Sequence, residues 1–349
     1  MNKFPVIEIT ADTPFERGVQ YGVQAEEYIK ICIEYYRRKF EDGGQAWSQI
    51  VKYAMGYAPV IEERMPEVME EAKGVASGSG QDIGDIMAVN CRYEITKLPK
   101  VPECTTAAIL PQASGSGKTY AVKNWDFSSG VMPHLVLLHI HTKEYSAIGW
   151  TEAGQMMREG FNSFGVAICN NALQSIHDYG GTGIPVTFLR RKVLACSSFE
   201  EAVELVRDVP RCVSNNIMIV GAEGKVCNME VFPGHIDVVE PEDGIVTHAN
   251  HFVVTPEVDA FPNRAKNRDT RLYYLLNKRN GSIDVEYIKE CMKDHEYYPL
   301  SICGHVNPNG DAYSRDRMTV ASMIIDFAEN TAHICYGNPC EGEYIAYKL

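Results

Sequence analysis

The chain has 349 residues, of which 45% are hydrophobic and 23% are charged, as in ordinary globular proteins. Its 46 acidic and 33 basic residues give a formal net charge of −13, without a long basic run. This balance argues against nucleic acid or an anionic membrane as a general partner. Basic patches at Arg190-Arg191-Lys192 and at 264–271 could still bind a polyanionic small molecule.

The cysteine content indicates a reducing compartment. The chain has eleven cysteines, an odd number, and none of them forms a CxxC pair. No stretch predicts a signal peptide or a membrane span. We therefore expect free thiols in a cytoplasmic protein rather than a disulfide framework. The scattered spacing also argues against a structural zinc site, so that no metal and no organic cofactor is expected.

The first hundred residues predict a mainly helical segment. A short strand at 6–10 precedes Asp12-Thr13-Pro14, which is typical of a helix start. Arg92 and Glu94, with Asn90, are polar positions near the end of this segment, and they form either a surface face or an internal polar network near a site. The predicted helical stretches lie at about 17–40, 45–64, 66–77 and 82–96.

From residue 104 onward the pattern changes to short strands. A regular βαβ alternation is absent, which favours antiparallel strands in layers covered by helices, an α+β fold. Further helices are predicted at 185–195, 198–206, 264–276 and 284–293. The predicted strands lie at 105–110, 119–123, 134–142, 146–150, 216–221, 225–231, 236–239, 245–248, 320–327, 331–336 and 344–347, with a turn and strand at 160–168.

The first two of these strands form a predicted hairpin with a thiol at its head. Cys104 precedes Thr105 and Thr106 at the start of the first strand, and Asn124 and Asp126 follow the end of the second. The position of this cysteine fits a catalytic nucleophile, but it also fits an ordinary half-buried strand residue.

A nucleophilic thiol needs a base, because a free cysteine is largely protonated at neutral pH. One source is histidine, with His248 and His251 as candidates. The other is the α-amine of Cys104 itself, which suits general-base catalysis near neutral pH but exists only if the chain is cut after Glu103. The thiol could make that cut by attacking the preceding carbonyl, followed by hydrolysis of the resulting thioester.

Amide chemistry also needs a donor for the developing oxyanion. Asn250, after a predicted strand, could supply its NH₂ group, although an asparagine shortly before Pro256 also fits a turn. Asp126 could orient the α-ammonium group, or it could cap a turn.

Short motifs spread over nearly the whole chain resemble one known family. They are Thr13-Pro14-Phe15-Glu16-Arg17-Gly18, Asn90-x-Arg92-x-Glu94, Cys104-Thr105-Thr106, Asn124-Trp125-Asp126-Phe127, Thr151-Glu152-Ala153-Gly154, Gly160-Phe161-Asn162-Ser163-x-Gly165-Val166-Ala167, Asn171-Ala172-Leu173, Thr182-Gly183-Ile184-Pro185, His248-x-Asn250-His251, Asn267-Arg268 and Tyr298-Pro299-x-Ser301-Ile302-Cys303. In order and spacing they resemble the acyl-coenzyme A:6-aminopenicillanate acyltransferase family of N-terminal-nucleophile hydrolases.

The resemblance implies a four-layer αββα sandwich and a precursor that cuts itself before Cys104. It implies an α-rich segment 1–103 and a core segment 104–349 in one folded unit, which could form a homo-oligomer. Cys104 would be the nucleophile, Asp126 the acidic residue that supports maturation or catalysis, and Asn250 the oxyanion donor. The implied partner is a small N-acyl compound or acyl-CoA. Supporting or substrate-binding positions would be Thr105, Thr106, Asn124, Arg92, Glu94, His248 and the Ser314-Arg315 segment, for which Arg317 is an alternative.

Three other interpretations stay open. Glu103 stands where the family's fungal enzyme has glycine, which favours a non-catalytic binding protein that is never cut. A cysteine hydrolase could instead use His248 or His251 without cleavage. The acyl group could also come from acyl-CoA and pass to an amine rather than to water.

Overall fold

Two β-sheets lie face to face in this protein, and helices cover both outer surfaces. The computed structural model describes residues 3–96, 103–179, 181–262, 266–310 and 315–349, with Glu103 described by its backbone alone. Ser314 and the start of the helix predicted at 264 lie outside the described residues. The layers follow the order α, β, β, α, so the predicted αββα sandwich is confirmed.

Seven helices of the described residues precede residue 96. The Thr13 hydroxyl accepts a hydrogen bond from the Glu16 N–H and so caps the first helix. The single helix predicted over 17–40 is divided at Ala25, and α1 packs on α5 where Gly18 leaves no room for a Cβ against Glu71. The helices are α1 Pro14–Gln24, α2 Glu26–Asp42, α3 Trp47–Met55, α4 Ala58–Arg64, α5 Pro66–Ser79, α6 Ile83–Asn90 and α7 Arg92–Ile95.

Sheet A has eight strands in the order β1-β4-β5-β6-β7-β8-β9-β10. Strand β1 pairs with β4 in parallel and the other neighbours pair antiparallel. The segment predicted as a turn and strand at 160–168 contains the end of β6, a turn through Gly165 and the start of β7. The strands are β1 Val6–Ile9, β4 Leu135–His141, β5 Ser146–Glu152, β6 Glu159–Asn162, β7 Val166–Ala172, β8 Asn215–Gly221, β9 Lys225–Phe232 and β10 His235–Val239.

Sheet B has six antiparallel strands in the order β11-β2-β3-β12-β13-β14. The predicted end of the second hairpin strand at Lys123 is wrong, because β3 continues to Ser128 and keeps Asn124 and Asp126 inside the strand. Both polar groups tolerate burial because they have hydrogen-bond partners. The strands are β2 Glu103–Ile109, β3 Tyr120–Ser128, β11 Ile245–His248, β12 Arg317–Asp326, β13 Thr331–Tyr336 and β14 Tyr344–Lys348.

Three buried apolar layers hold the sandwich together. The first packs sheet A against α1–α7 and against α8 Val186–Val193 and α9 Phe199–Asp208. The second lies between the sheets and includes Cys104, Trp125 and Trp150. The third packs sheet B against α10 Arg268–Asn277 and α11 Val285–Met292. Residues of β1 and α1–α7 thus share the first layer with strands that lie after residue 104.

No helix among the described residues is both long enough and apolar enough to cross a membrane.

Candidate active site

Cys104 lies at the start of β2, with its side chain in the layer between the two sheets. It is opposite Trp125 in the register of β2 and β3, and only 4% of its surface is exposed. Residues in register share a face of the sheet, and successive residues alternate between faces. Cys104, Thr106, Lys123 and Trp125 therefore face sheet A.

The backbone nitrogen of Cys104 is held by Asn250, which follows β11. This N–H donates to Asn250 Oδ1 at 2.5 Å. The same oxygen accepts from Arg268 Nη2 at 2.9 Å, and Asn250 Nδ2 donates to the Ala172 carbonyl at 2.8 Å. An amide NH₂ has two hydrogens, and only one is used in the bond to Ala172. The structure therefore fixes Asn250 against the nitrogen of the peptide bond that joins Glu103 to Cys104.

A buried lysine lies beside the thiol. Lys123 Nζ donates to the Asn170 carbonyl and, at 2.9 Å, to Asn171 Oδ1, and it lies 3.6 Å from Glu159 Oε1. These partners lie on β6 and β7 of sheet A, so the lysine spans the gap between the sheets. Its charge is buried but compensated, as buried charges need to be.

Burial raises the pKa of the Cys104 thiol above its usual value. The positive charge of Lys123 and the backbone N–H of Asp126 oppose this rise, while the charges of Asp126 and Glu159 add to it. The thiol of the uncut chain is therefore protonated at neutral pH. An efficient attack on a carbonyl needs a base that takes this proton.

Asp126 lies on β3 with its carboxylate on the face of sheet B away from sheet A. Its Oδ1 accepts from Thr319 Oγ1 at 2.6 Å, and that hydroxyl accepts from the Gly304 N–H at 2.9 Å. The Asp126 backbone is opposite Glu103 in the strand register. The carboxylate thus ties β3 to β12 and to the loop around Gly304, directly beside the peptide bond before Cys104.

Asn124 and Thr105 also face away from sheet A, since they are opposite each other in the register. Asn124 Nδ2 donates to the carbonyls of Met292 and Ile302, at 3.0 and 2.8 Å. Asn124 therefore supports the helical layer over sheet B. Thr106 lies on the other face, where its hydroxyl accepts from Asn171 Nδ2 at 2.9 Å and donates to the His248 carbonyl at 3.3 Å.

The two candidate histidines contact carboxylates rather than the thiol. His248 Nε2 lies 2.8 Å from Glu230 Oε1, and its Nδ1 lies 2.9 Å from the Ala249 carbonyl. His251 Nε2 lies 3.5 Å from Asp269 Oδ2, and burial lowers the pKa of this imidazole. Within the part of the chain that the structure describes, neither ring forms a hydrogen bond with Cys104.

Arg92 and Glu94 lie in the helical layer over sheet A. Arg92 forms a buried ion pair with Glu152 and donates to the Tyr36 hydroxyl at 2.8 Å. Glu94 accepts from the Val186 N–H at 2.9 Å and so anchors the start of α8. Both side chains are buried and have polar partners. Of the two possibilities that the sequence left open, a surface face or an internal polar network, the structure shows the internal network. The network stabilises the scaffold around the site.

The predicted Ser314-Arg315 segment is described only in part. Ser314 lies outside the described residues, and Arg315 is exposed. Arg317 is half-buried at the start of β12, with its guanidinium 5.9 Å from the Phe127 ring. Arg317 thus contacts β3, the strand that carries Asp126.

Sequence reasoning missed three residues of the site. Lys123 was placed at the end of a strand, although a lysine between Val122 and Trp125 in an apolar strand was a signal of a buried charge. Arg268 was quoted only as part of a family motif, and the structure brings it to Asn250. Thr319 had no local signal, because its contact with Asp126 depends on the pairing of β12 with β3.

The chain is similar to known proteins in sequence and in fold. The sequence profile of the family described as acyl-coenzyme A:6-aminopenicillanic acid acyl-transferase matches residues 113–341, which is more than half of the chain. The chain is also 26% identical over 338 residues to the 40 kDa form of acyl-coenzyme A:6-aminopenicillanic-acid-acyltransferase from Emericella nidulans. That alignment covers 94% of this chain and 91% of the relative.

Solved structures with low sequence identity share the fold. A conjugated bile acid hydrolase variant from Clostridium perfringens matches with a TM-score of 0.50 and 14% identity, covering 70% of this chain and 97% of that one. Penicillin V acylase from Agrobacterium tumefaciens matches with a TM-score of 0.50 and 13% identity, covering 67% of this chain and 83% of that one. At these identities the likeness concerns the arrangement of strands and helices.

Proposed function

The chain belongs to the acyl-coenzyme A:6-aminopenicillanic acid acyl-transferase family, and from this premise we propose that it is a self-processing amidohydrolase or acyltransferase with Cys104 as its nucleophile. The family resemblance inferred from the motifs is confirmed by the profile match. The membership establishes the coarse class of an N-terminal-nucleophile enzyme that acts on acyl compounds. The cleavage, the thioester and the roles of single residues are our proposal.

One observation carries the proposal: the N–H of Cys104 donates to Asn250 Oδ1 at 2.5 Å. This nitrogen belongs to the peptide bond that must break, and it becomes the α-amine of the mature enzyme. Asn250 is held in turn by Arg268 and by the Ala172 carbonyl, so the contact is rigid before any cleavage. Such pre-organisation would leave the new amine beside its own thiol.

Self-cleavage proceeds in two balanced steps. The Cys104 sulfur attacks the carbonyl carbon of Glu103, the C–N bond breaks, and the acyl group moves from nitrogen to sulfur as the amine takes up a proton. Water then attacks the thioester, which gives the Glu103 carboxylate and restores the thiol. Asp126 contributes through its place opposite Glu103 and through its bond to Thr319, which fix the strand at the cut.

Turnover uses the thiol and the α-amine of Cys104. The α-amine accepts the thiol proton, the sulfur attacks the acyl carbonyl of the substrate, and the protonated amine gives its proton to the leaving group. A water or an amine then attacks the thioester and releases the acyl group. The free hydrogen on Asn250 Nδ2 is positioned to stabilise the oxyanion in both halves of the reaction. Lys123 stabilises the thiolate through its charge.

The substrate we propose is a small N-acyl compound, with water as the final acceptor. Water is always available, and the net charge of −13 gives no general help in binding a polyanionic coenzyme. The relative from Emericella nidulans is described as acting with acyl-coenzyme A, and this favours a second candidate, transfer from acyl-CoA to an amine. Incubation of an acyl donor with and without amines, followed by mass analysis of the products, distinguishes the two.

Intact mass under denaturing conditions tests the self-cleavage. We expect two fragments, residues 1–103 and 104–349, and a single unbroken chain for Cys104→Ala. An unbroken wild-type chain that also lacks amidase activity would favour the alternative suggested by Glu103, a binding protein with the same fold. An unbroken chain with full activity would instead favour a histidine-based cysteine hydrolase.

We further propose a reducing compartment such as the cytoplasm as the site of action. The eleven cysteines are an odd number without a CxxC pair, a pattern that favours free thiols over a disulfide framework. Fractionation of cells that produce the tagged protein, combined with thiol labelling, tests this expectation.

A further inference from the structure

Four metal-ligating side chains converge at the outer side of sheet B, away from the thiol of Cys104. His295 lies in the loop after α11, Cys303 and His305 follow eight and ten residues later, and Cys340 lies in the loop between β13 and β14. One ligand atom from each of the four lies within 4.8 Å of the other three. We call these residues the Cys₂His₂ cluster.

From this geometry we propose that the Cys₂His₂ cluster is a tetrahedral zinc site that fixes the loop beside Asp126. Two thiolates and two imidazoles are a donor set that zinc prefers, and the resulting site has no net charge. The site is distinct from the proposed nucleophile and takes no part in the bond-breaking steps. Its ligands are spread over residues 295–340. Because the cysteines do not form a CxxC pair, the sequence pattern argued against a zinc site.

The separations between the ligand atoms fit one central ion. With Zn–S bonds of about 2.3 Å and Zn–N bonds of about 2.05 Å, a tetrahedral site has S···S, N···N and S···N separations of about 3.8, 3.3 and 3.6 Å. Cys303 Sγ and Cys340 Sγ are 3.5 Å apart, and His295 Nε2 and His305 Nε2 are 3.0 Å apart. His305 Nε2 lies 3.6 and 3.4 Å from the two sulfurs.

Hydrogen bonding alone explains this arrangement poorly. His305 Nε2 faces three ligand atoms at once, whereas a ring nitrogen carries either one hydrogen or one lone pair. An ion at the centre would satisfy all four groups together. The surroundings also resemble those of metal ligands, because such ligands usually interact with further polar groups that fix their orientation. Asn338 Nδ2 donates to Cys303 Sγ at 3.5 Å, and Glu341 Oε1 lies 4.0 Å from His305 Nδ1.

The cluster is connected to Asp126 through Gly304 and Thr319. Gly304 lies between Cys303 and His305, and its N–H donates to Thr319 Oγ1, which donates to Asp126 Oδ1. The Gly304 carbonyl accepts from Thr319 N at 3.0 Å and from Asn338 Nδ2 at 2.5 Å. A bound ion would therefore hold the loop that positions Asp126. The exposed ring of His295 provides a path for the ion from solvent.

Cobalt substitution of the full-length protein tests the proposal without reference to activity. The protein is stripped with a chelator under reducing conditions and titrated with Co²⁺, whose bonds to thiolate give a charge-transfer absorption. We expect one tightly bound Co²⁺ per chain, displaced by one Zn²⁺. Cys340→Ser and His295→Ala should each weaken binding at least tenfold, and Cys340→Ser should also reduce the thiolate absorption.

Cys335→Ala is the matched control, because Cys335 is buried on β13 only five positions from Cys340 and contributes no atom to the cluster. Its Co²⁺ affinity and spectrum should equal those of the wild-type protein. The proposal is overturned if the wild-type protein shows no thiolate absorption with Co²⁺, or if Cys340→Ser and His295→Ala bind as tightly as the control. A Cys303–Cys340 disulfide in the purified protein, with no metal uptake after its reduction, would overturn it as well.

Discussion

Two cysteine centres lie on opposite sides of sheet B, and their surroundings differ in almost every respect. Cys104 is buried between the sheets, with a lysine nearby and its backbone N–H bonded to an asparagine. Cys303 lies at the outer side of sheet B, where two histidines and a second thiol surround it. A cysteine beside histidines would be the usual candidate for a nucleophile, yet here that arrangement favours a metal ion. The thiol without a histidine is the one that fits catalysis, because cleavage of the chain can supply its base.

The two centres also differ in what they demand of the fold. The first needs a cleavable backbone held against fixed polar groups, and it lies at the start of β2, where Cys104 pairs with Trp125 on β3. The second joins the loop after α11 to the loop between β13 and β14. Among the described residues no backbone–backbone hydrogen bond connects these two loops, and an ion would connect them. The paired strands of the sheets hold the first site in place. At the second site, a bound ion would hold two loops in place.

The largest expected effect is the difference in activity between variants of two buried cysteines, Cys104 and Cys169. Cys104→Ala should lower kcat/KM for an N-acyl substrate by at least about 10⁴-fold, because the nucleophile is lost. Cys169→Ala is the control, since Cys169 is buried in the same layer between the sheets. The control should keep its turnover and lose about 1 kcal/mol of unfolding free energy through a small cavity. Equal activity of the two variants would remove Cys104 from the mechanism.

A second comparison concerns two buried asparagines on opposite faces of sheet B. Asn250→Ala should lower kcat by about 10²–10³-fold, the usual cost of losing an oxyanion donor. It should also slow the appearance of the two fragments, because Asn250 holds the Cys104 nitrogen. Steady-state kinetics of the processed fraction and a time course of intact mass measure the two effects separately.

Asn124→Ala is the matched variant on the other face. It leaves the carbonyls of Met292 and Ile302 without their partner, so we expect a loss of about 2–3 kcal/mol in unfolding free energy. Its kcat should change little, and denaturant unfolding measures the loss. A larger fall in kcat for Asn124→Ala than for Asn250→Ala would contradict the assignment of the two faces.

The sequence allowed the fold to be predicted well because most elements carry their own local signals. Thr13 and Ser198 cap the helices that they precede, as their patterns indicate. Short strand-like runs located most of the strands, and the family resemblance gave the order of the layers. The exact length of β3 was not predictable in this way, because its polar residues stay in the strand only through partners on β12 and on the loop near residue 302.

Only part of the candidate site could be predicted, because some of its residues depend on contacts that are distant in the sequence. Cys104, Asp126 and Asn250 lie in short motifs that chemistry singles out, whereas Lys123, Arg268 and Thr319 matter through contacts made by distant strands. The Cys₂His₂ cluster shows the limit most clearly. Its four ligands have no characteristic spacing, and only the approach of the β13–β14 loop to the loop after α11 brings them together.

A smaller effect concerns the charge beside the thiol. Lys123→Met should raise the pKa of the Cys104 thiol, because the cation that opposes the effect of burial is lost. Thiolate is the reactive form, so the rate of alkylation of Cys104 should rise with pH at higher pH values than in the wild-type protein. The variant should also lose about 3–5 kcal/mol of unfolding free energy, since Glu159 remains buried without the positive charge of Lys123.

Lys118→Met is the control for this charge. Lys118 pairs with Glu329 near the surface, before the same strand begins. Its loss should leave the alkylation profile unchanged. If both variants shift the profile equally, the effect reflects overall charge and not the position of Lys123. Mapping of the alkylated peptide confirms that Cys104 is the thiol followed.

The smallest expected effect tests the second centre by its contribution to stability. A ligand present at about 100 times its Kd adds about 2.7 kcal/mol to the unfolding free energy. For a chain of this length that corresponds to a rise of about 4 °C in Tm. We therefore expect a chelator to lower the Tm of Cys104→Ala, which remains a single chain, by about this amount under reducing conditions.

Adding Cys340→Ser to this background should reduce the response to the chelator to about half or less, because binding is at least tenfold weaker, whereas adding Cys335→Ala should leave it in place. The use of the inactive, uncut background matters, because it removes any change in Tm caused by self-cleavage. A response of the same size in all three proteins would locate the ion elsewhere. The Cys₂His₂ cluster would then not be a metal site, and Cys303 would be an ordinary buried thiol beside two histidines.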